Sequence, residues 1–153
     1  MPAAGGAGTV RAMPMIDAYA VAGTFRQPRE LARDLARAVM RREGVPDIPL
    51  LADNPAGFVH DLPADAISDA AGAGDHVRVQ VLTPAGVLDR DKQLGVVKEL
   101  TAIVVAAAGD PAPAGRTWVL ITESPDGGRG IAGRANTRAD VAASARAARR
   151  RQR

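Results

Sequence analysis

His60 stands beside Asp61 in a short apolar run, residues 57–62, that reads as a strand. A carboxylate next to an imidazole can fix its tautomer for proton transfer. No third group completes a relay, so a structural or interface histidine is the competing reading. His76 falls in a linker and needs no function. Pro14 follows Met13 at the head of the first apolar run, and Gly127-Gly128-Arg129-Gly130 follows the last one, which marks both ends as places for chemistry. The glycine run opens no evident helix, so it is a weak phosphate cradle. The acid pairs Asp61/Asp65 and Asp89/Asp91 lack metal-ligand company, and the chain has no cysteine, so no metal is expected. Nucleophile-elbow, P-loop and dinucleotide motifs are absent.

The elements that position these residues come in two copies. Met15–Val21 leads through Gly23 into a helix carrying Leu31, and a run starting at Val77 leads through Gly86 into a helix carrying Leu94, both at an offset of 63. In copy one, Pro28 suits the first helical position and Glu30 opposes the dipole. Leu31, Leu35 and Val39 form one face and Arg29, Arg33, Arg37 and Arg41 the other, until Gly44 stops the helix. In copy two, Val77, Val79 and Val81 alternate with polar residues, Asp89 is an N-cap, and Leu94, Val97, Thr101 and Val104 form the expected helix stripe. Residues 117–123 read as the last strand. Each copy is therefore βαβ, and two such units give an α/β fold with a four-stranded sheet and both helices on one face. The other face carries Met15, Tyr19, Val21 and Leu82, apolar enough to predict burial in a symmetric oligomer.

Composition narrows the partners. With 153 residues and 46% hydrophobic content the chain supports one core. The expected organisation is a disordered extension over 1–13, one domain over 14–138 (repeat one 14–67, repeat two 76–133) and a basic tail over 139–153. Seven Arg against one Asp lie in residues 134–153, a local charge of +6; with a net charge of +3, the remainder carries −3. The tail reads as a solvated helix. Four scattered aromatic residues offer few stacking platforms, so nucleic acid is not the expected partner. No run reaches the ~18 apolar residues of a membrane span, and the first twelve residues have no secretory apolar region, so a cytoplasmic protein without membrane contact is expected.

Met13-Pro14-Met15-Ile16 opening a βαβ unit, the Leu82-Thr83-Pro84-Ala85-Gly86 turn, and the segment from Thr117-Trp118 through Gly127-Gly128-Arg129-Gly130 to Gly133 together resemble the tautomerase superfamily, of the 4-oxalocrotonate tautomerase type. The resemblance covers residues 14–133 and is closest to members with two βαβ units in one chain. It implies a trimer of the kind seen in macrophage migration inhibitory factor, no cofactor, and an N-terminal proline acting as general base on a small enol or 2-keto acid bearing a carboxylate.

A terminal secondary amine is a base whose pKa falls when it is desolvated, so near neutrality it can shuttle a proton between carbon and oxygen. That assigns Pro14 the catalytic role if the chain starts there. Asp17, close along the strand, would raise the amine's pKa. Behind Met13 the nitrogen is an amide, which implies the alternative of a non-catalytic trimeric scaffold or ligand binder. A hydratase, dehalogenase or decarboxylase of the same superfamily is a further alternative, requiring a water-activating carboxylate or paired arginines that the sequence does not place. Family arginines that hold the substrate are replaced: Thr24 and Val87 follow the turn glycines, and Trp118 stands where the last-strand arginine falls. Arg129 replaces the usual hairpin aromatic and is the expected carboxylate clamp, its planar guanidinium suiting bidentate binding. Trp118, Arg78 and His60 complete the expected substrate-binding set, with Arg78 facing away from the core.

Overall fold

The computed structural model describes residues 14–44, 55–110 and 112–151; the expectation for residues 1–13 lies outside them. Strand β1 (Met15–Val21) buries Ile16, Ala18 and Ala20 and turns the residues between them outward. Helix α1 (Pro28–Glu43) follows, with Pro28 in its first turn and Gly44 closing it in the left-handed region at φ 79°. Strand β2 (Ala56–Leu62) returns parallel to β1. The second unit repeats this with β3 (Val77–Pro84), α2 (Arg90–Ala108) and β4 (Thr117–Ser124). The Asp89 carboxylate caps α2 by accepting from the Lys92 amide at 2.9 Å.

The sheet order is β2-β1-β3-β4, with parallel pairs inside each unit and an antiparallel seam between β1 and β3. Along that seam Asp17 lies opposite Gln80, its own equivalent at the offset of 63, so a pseudo-twofold axis passes through this pair. Met15↔Leu82 and Tyr19↔Arg78 are images of each other about it. This is the expected fold: two βαβ repeats, one four-stranded sheet and two helices on one face.

The helix offset is a correction. The buried stripe of large apolar residues on α1 includes Leu31, Leu35 and Val39; the buried residues of α2 are Val96, Leu100 and Val104, an offset of 65. The closing glycines Gly44 and Gly109 obey the same 65. Phe25 and Leu88, both buried in the turns, still keep 63, so two residues are inserted between turn and helix in copy two. Leu94 and Val97, expected on the core stripe, are exposed. Apolar residues occur on every side of α2, so its periodicity alone does not select a face.

Beyond β4 the chain turns at Pro125 to Gly128 and forms a small hairpin, β5 (Arg129–Ile131) and β6 (Arg134–Asn136). Helix α3 (Arg138–Arg151) completes the described chain. Its first turn is capped reciprocally by Thr137 and Asp140.

Candidate functional site

The end of the sheet where β1 begins and β3 finishes holds a buried polar cluster. Pro14 precedes Met15, continues the alternation that buries Ile16, and is itself fully buried. Its carbonyl accepts from the Ala56 amide at 3.2 Å, which ties it to the start of β2. On its other side Met15 pairs with Leu82, so Thr83, the next residue of β3, runs alongside Pro14. Thr83 is fully buried, and its hydroxyl donates to Oε1 of Glu43, the last residue of α1. Glu43 is 7% exposed, and its Oε2 has no hydrogen-bond partner among the described residues.

Burial pushes the Glu43 carboxyl up to about 7, against the opposing pull of the Thr83 hydrogen bond, Arg129 and Lys92. The hairpin brings in the half-buried Arg129, whose own pKa is lowered by burial while Glu43 acts in the opposite direction. A narrow cleft of about 30 Å³ opens beside this cluster, lined by Ser124, Arg129, Asn136 and Thr137 among others. The arrangement can hold a proton near neutrality, next to a cation able to receive a carboxylate.

The open face of the sheet carries a second group. His60, Tyr19, Arg78 and Trp118 stand in one row across the four strands. The Tyr19 and His60 rings stack with centroids 4.3 Å apart and planes at 9°. The Arg78 guanidinium lies 5.7 Å from the Tyr19 centroid and donates to Gln80 at 2.7 Å. His60 Nε2 lies 2.7 Å from Asp17 Oδ1, so the carboxylate that orients the imidazole is Asp17 and not Asp61. The reason is the pleat: sequence neighbours on a strand point to opposite faces, whereas Asp17 comes from the adjacent strand on the same face. For the same reason Asp17 faces away from the buried Pro14.

The expected residues therefore form two groups. Pro14 and Arg129 belong to the buried end on the helix side; Trp118, Arg78 and His60 belong to the open face. Glu43 is the residue that the sequence reading missed. It lies four residues beyond Val39 on the Leu31-Leu35-Val39 stripe, and it is an acid in the last turn of a helix, where the dipole disfavours it. Both signals are present in the sequence. Among the described residues no three of His, Cys, Asp or Glu gather as a metal site, and no helix is long and apolar enough to cross a membrane.

No family model and no curated protein matches the sequence. Solved structures do. A fused 4-OT, solved as an asymmetric trimer, superposes with a TM-score of 0.64 at 20% identity, covering 78% of this chain and 94% of that one. N1, a member of the cis-3-chloroacrylic acid dehalogenase family, gives 0.61 at 19% identity over 78% and 81%. A macrophage migration inhibitory factor-like protein from Entamoeba histolytica gives 0.63 at 16% identity over 82% and 98%. Likeness at these identities is likeness of fold, and the chain shares the fold of these proteins, with two βαβ units in one polypeptide.

Proposed function

We propose that the protein is a cofactor-independent tautomerase that moves a proton between carbon and oxygen of a small enol or 2-keto acid, with Pro14 as general base, and that it works as a homotrimer. The observation that carries this reading is the position of Pro14: it leads into β1 at the buried end of the sheet, beside Thr83, whose hydroxyl is bonded to Glu43. A free amine there would be desolvated, which lowers its pKa toward neutrality. Arg129, half-buried and cationic, would hold the substrate carboxylate, and a partly desolvated guanidinium binds an anion more strongly than an exposed one. The trimer reading is supported by the assembly of the fused 4-OT relative and by the exposed Phe58, Trp118 and Leu120 on the open face.

The base must be an amine. In the 153-residue chain Met13 precedes Pro14, so the nitrogen is an amide without a basic lone pair, and that form fits the scaffold reading. The deciding experiment follows ketonisation of phenylenolpyruvate by three proteins: the full chain, a chain beginning at Pro14, and the latter with Pro14→Ala. The expected result is activity in the Pro14-start form alone, with a loss of ~10²–10⁴ in the variant. Equal rates in that form and its alanine variant would remove Pro14 from the mechanism. Inactivity of all three on several enols would favour the scaffold.

A further inference from the structure

The pseudo-twofold axis gives the buried polar cluster an internal control. At the offset of 63, Thr83 corresponds to Ala20 and Pro14 to Val77; at the helix offset of 65, Glu43 corresponds to Ala108. The opposite end of the same sheet is thus closed by Ala20, Val77 and Ala108, which are buried or packed against the core. The fold does not need a hydroxyl or a carboxyl to seal this position. Burying a half-satisfied carboxyl costs free energy that an alanine does not.

Oε1 of Glu43 is held by the Thr83 hydroxyl, which fixes the carboxyl plane, while Oε2 remains buried and without a partner among the described residues. The charged groups acting on Glu43 are Lys92 of α2 and Arg129 of β5, both cations, yet neither donates a hydrogen bond to Oε2. One donor is missing. The residue beside Thr83 on β1 is Pro14, whose nitrogen donates nothing as an amide but carries N–H donors as a terminal amine.

We infer that Glu43 is a positioning residue for a free Pro14 amine, its Oε2 accepting the hydrogen bond that this amine donates, so that carboxyl and amine share one proton. The inference rests on the reading of Pro14 as an N-terminal base. It gives the otherwise costly Thr83-Glu43 pair a purpose: orienting the amine and holding its pKa up against Arg129 and desolvation.

The test compares the full chain with the chain beginning at Pro14, which retains every described strand and helix. With carboxyl-labelled glutamate, the Glu43 resonance is followed against pH by NMR in both. The expected midpoint lies near 7 in the full chain and falls by about one pH unit or more when the amine is freed, because an adjacent ammonium favours the carboxylate. In the Pro14-start form, the Pro14 nitrogen should in turn titrate about one unit lower in Glu43→Gln than in the unsubstituted protein. The same Glu43 midpoint in both chains overturns the inference, and that comparison needs no substitution that could fail to fold. Ketonisation without coupled titration would leave the tautomerase reading standing and remove this one. Coupled titration without ketonisation would do the reverse.

Discussion

The hydroxyl of Thr83 reaches across from β3 to the carboxyl of Glu43 at the end of α1, joining sheet and helix layer by one buried hydrogen bond. Because that carboxyl titrates near 7 in the fold and near 4.5 when unfolded, it makes stability depend on pH. The folded state holds the proton more tightly. The contribution is therefore full below about 4.5 and is lost as pH rises to about 7. Over that window the loss amounts to roughly 3 kcal/mol. Denaturant unfolding of the full chain at pH 5 and pH 8 should show it, and Glu43→Gln should flatten the dependence. An unchanged slope in the glutamine variant would assign the pH dependence to other groups.

How much of this was legible beforehand depends on how one-sided each element is. Strand β1 and helix α1 bury one face and solvate the other, so Ile16, Ala18, Leu31, Leu35 and Val39 could be placed from periodicity. Helix α2 carries apolar residues on every side, and of the expected stripe Val104 is buried, with Val96 and Leu100 beside it in place of the exposed Leu94 and Val97. The Asp17–His60 contact required the register of β1 on β2, a long-range property that no local pattern encodes. Glu43 was legible on the Val39 stripe but contradicts the ordinary rule that acids sit outside, and such a conflict between local rule and pattern is itself a marker of function.

Arg129 is half-buried beside Glu43 and should act on substrate binding. In the Pro14-start form, Arg129→Ala should raise KM for a 2-keto acid by roughly tenfold or more, in line with about 1.5–3 kcal/mol for hydrogen bonds to a charged group. Arg129→Lys should recover part of that loss, because it restores charge but not the bidentate fork. Steady-state kinetics with and without a carboxylate on the substrate separates the clamp from a folding effect. A KM that is equally raised for an uncharged enol would exclude the clamp.

Gly57 on β2 lets α1 lie directly against the sheet. A methyl group there would run into the Ala32 carbonyl oxygen, part of rigid helix backbone that cannot swing aside. Gly57→Ala should therefore destabilise the fold by about 1–3 kcal/mol, the usual range for overpacking. Gly95→Ala meets only the end of the Arg42 side chain, so a few tenths of a kcal/mol is expected there. Thermal unfolding of the two variants side by side checks the contrast, and equal melting temperatures would mean that α1 shifts freely over β2.

The open face of the sheet carries Trp118 at 62% exposure on one edge strand and Phe58 at 50% on the other. Between them lie the Tyr19–His60 stack and Arg78, groups that can meet a partner through ring faces and charge. If copies of the chain cover this face, Trp118 is the strongest anchor it offers, since large aromatics dominate interface energetics. Trp118→Asp should cost about 2 kcal/mol or more per interface, a factor of roughly 30 in dissociation constant, and the same change at Phe58 should act in the same direction. Sedimentation velocity on the unsubstituted chain at micromolar concentration should show a trimer, with dissociation in the Trp118 variant while circular dichroism stays unchanged. A stable monomer before any substitution would overturn the homotrimer, and a trimer indifferent to both substitutions would move its interface off this face.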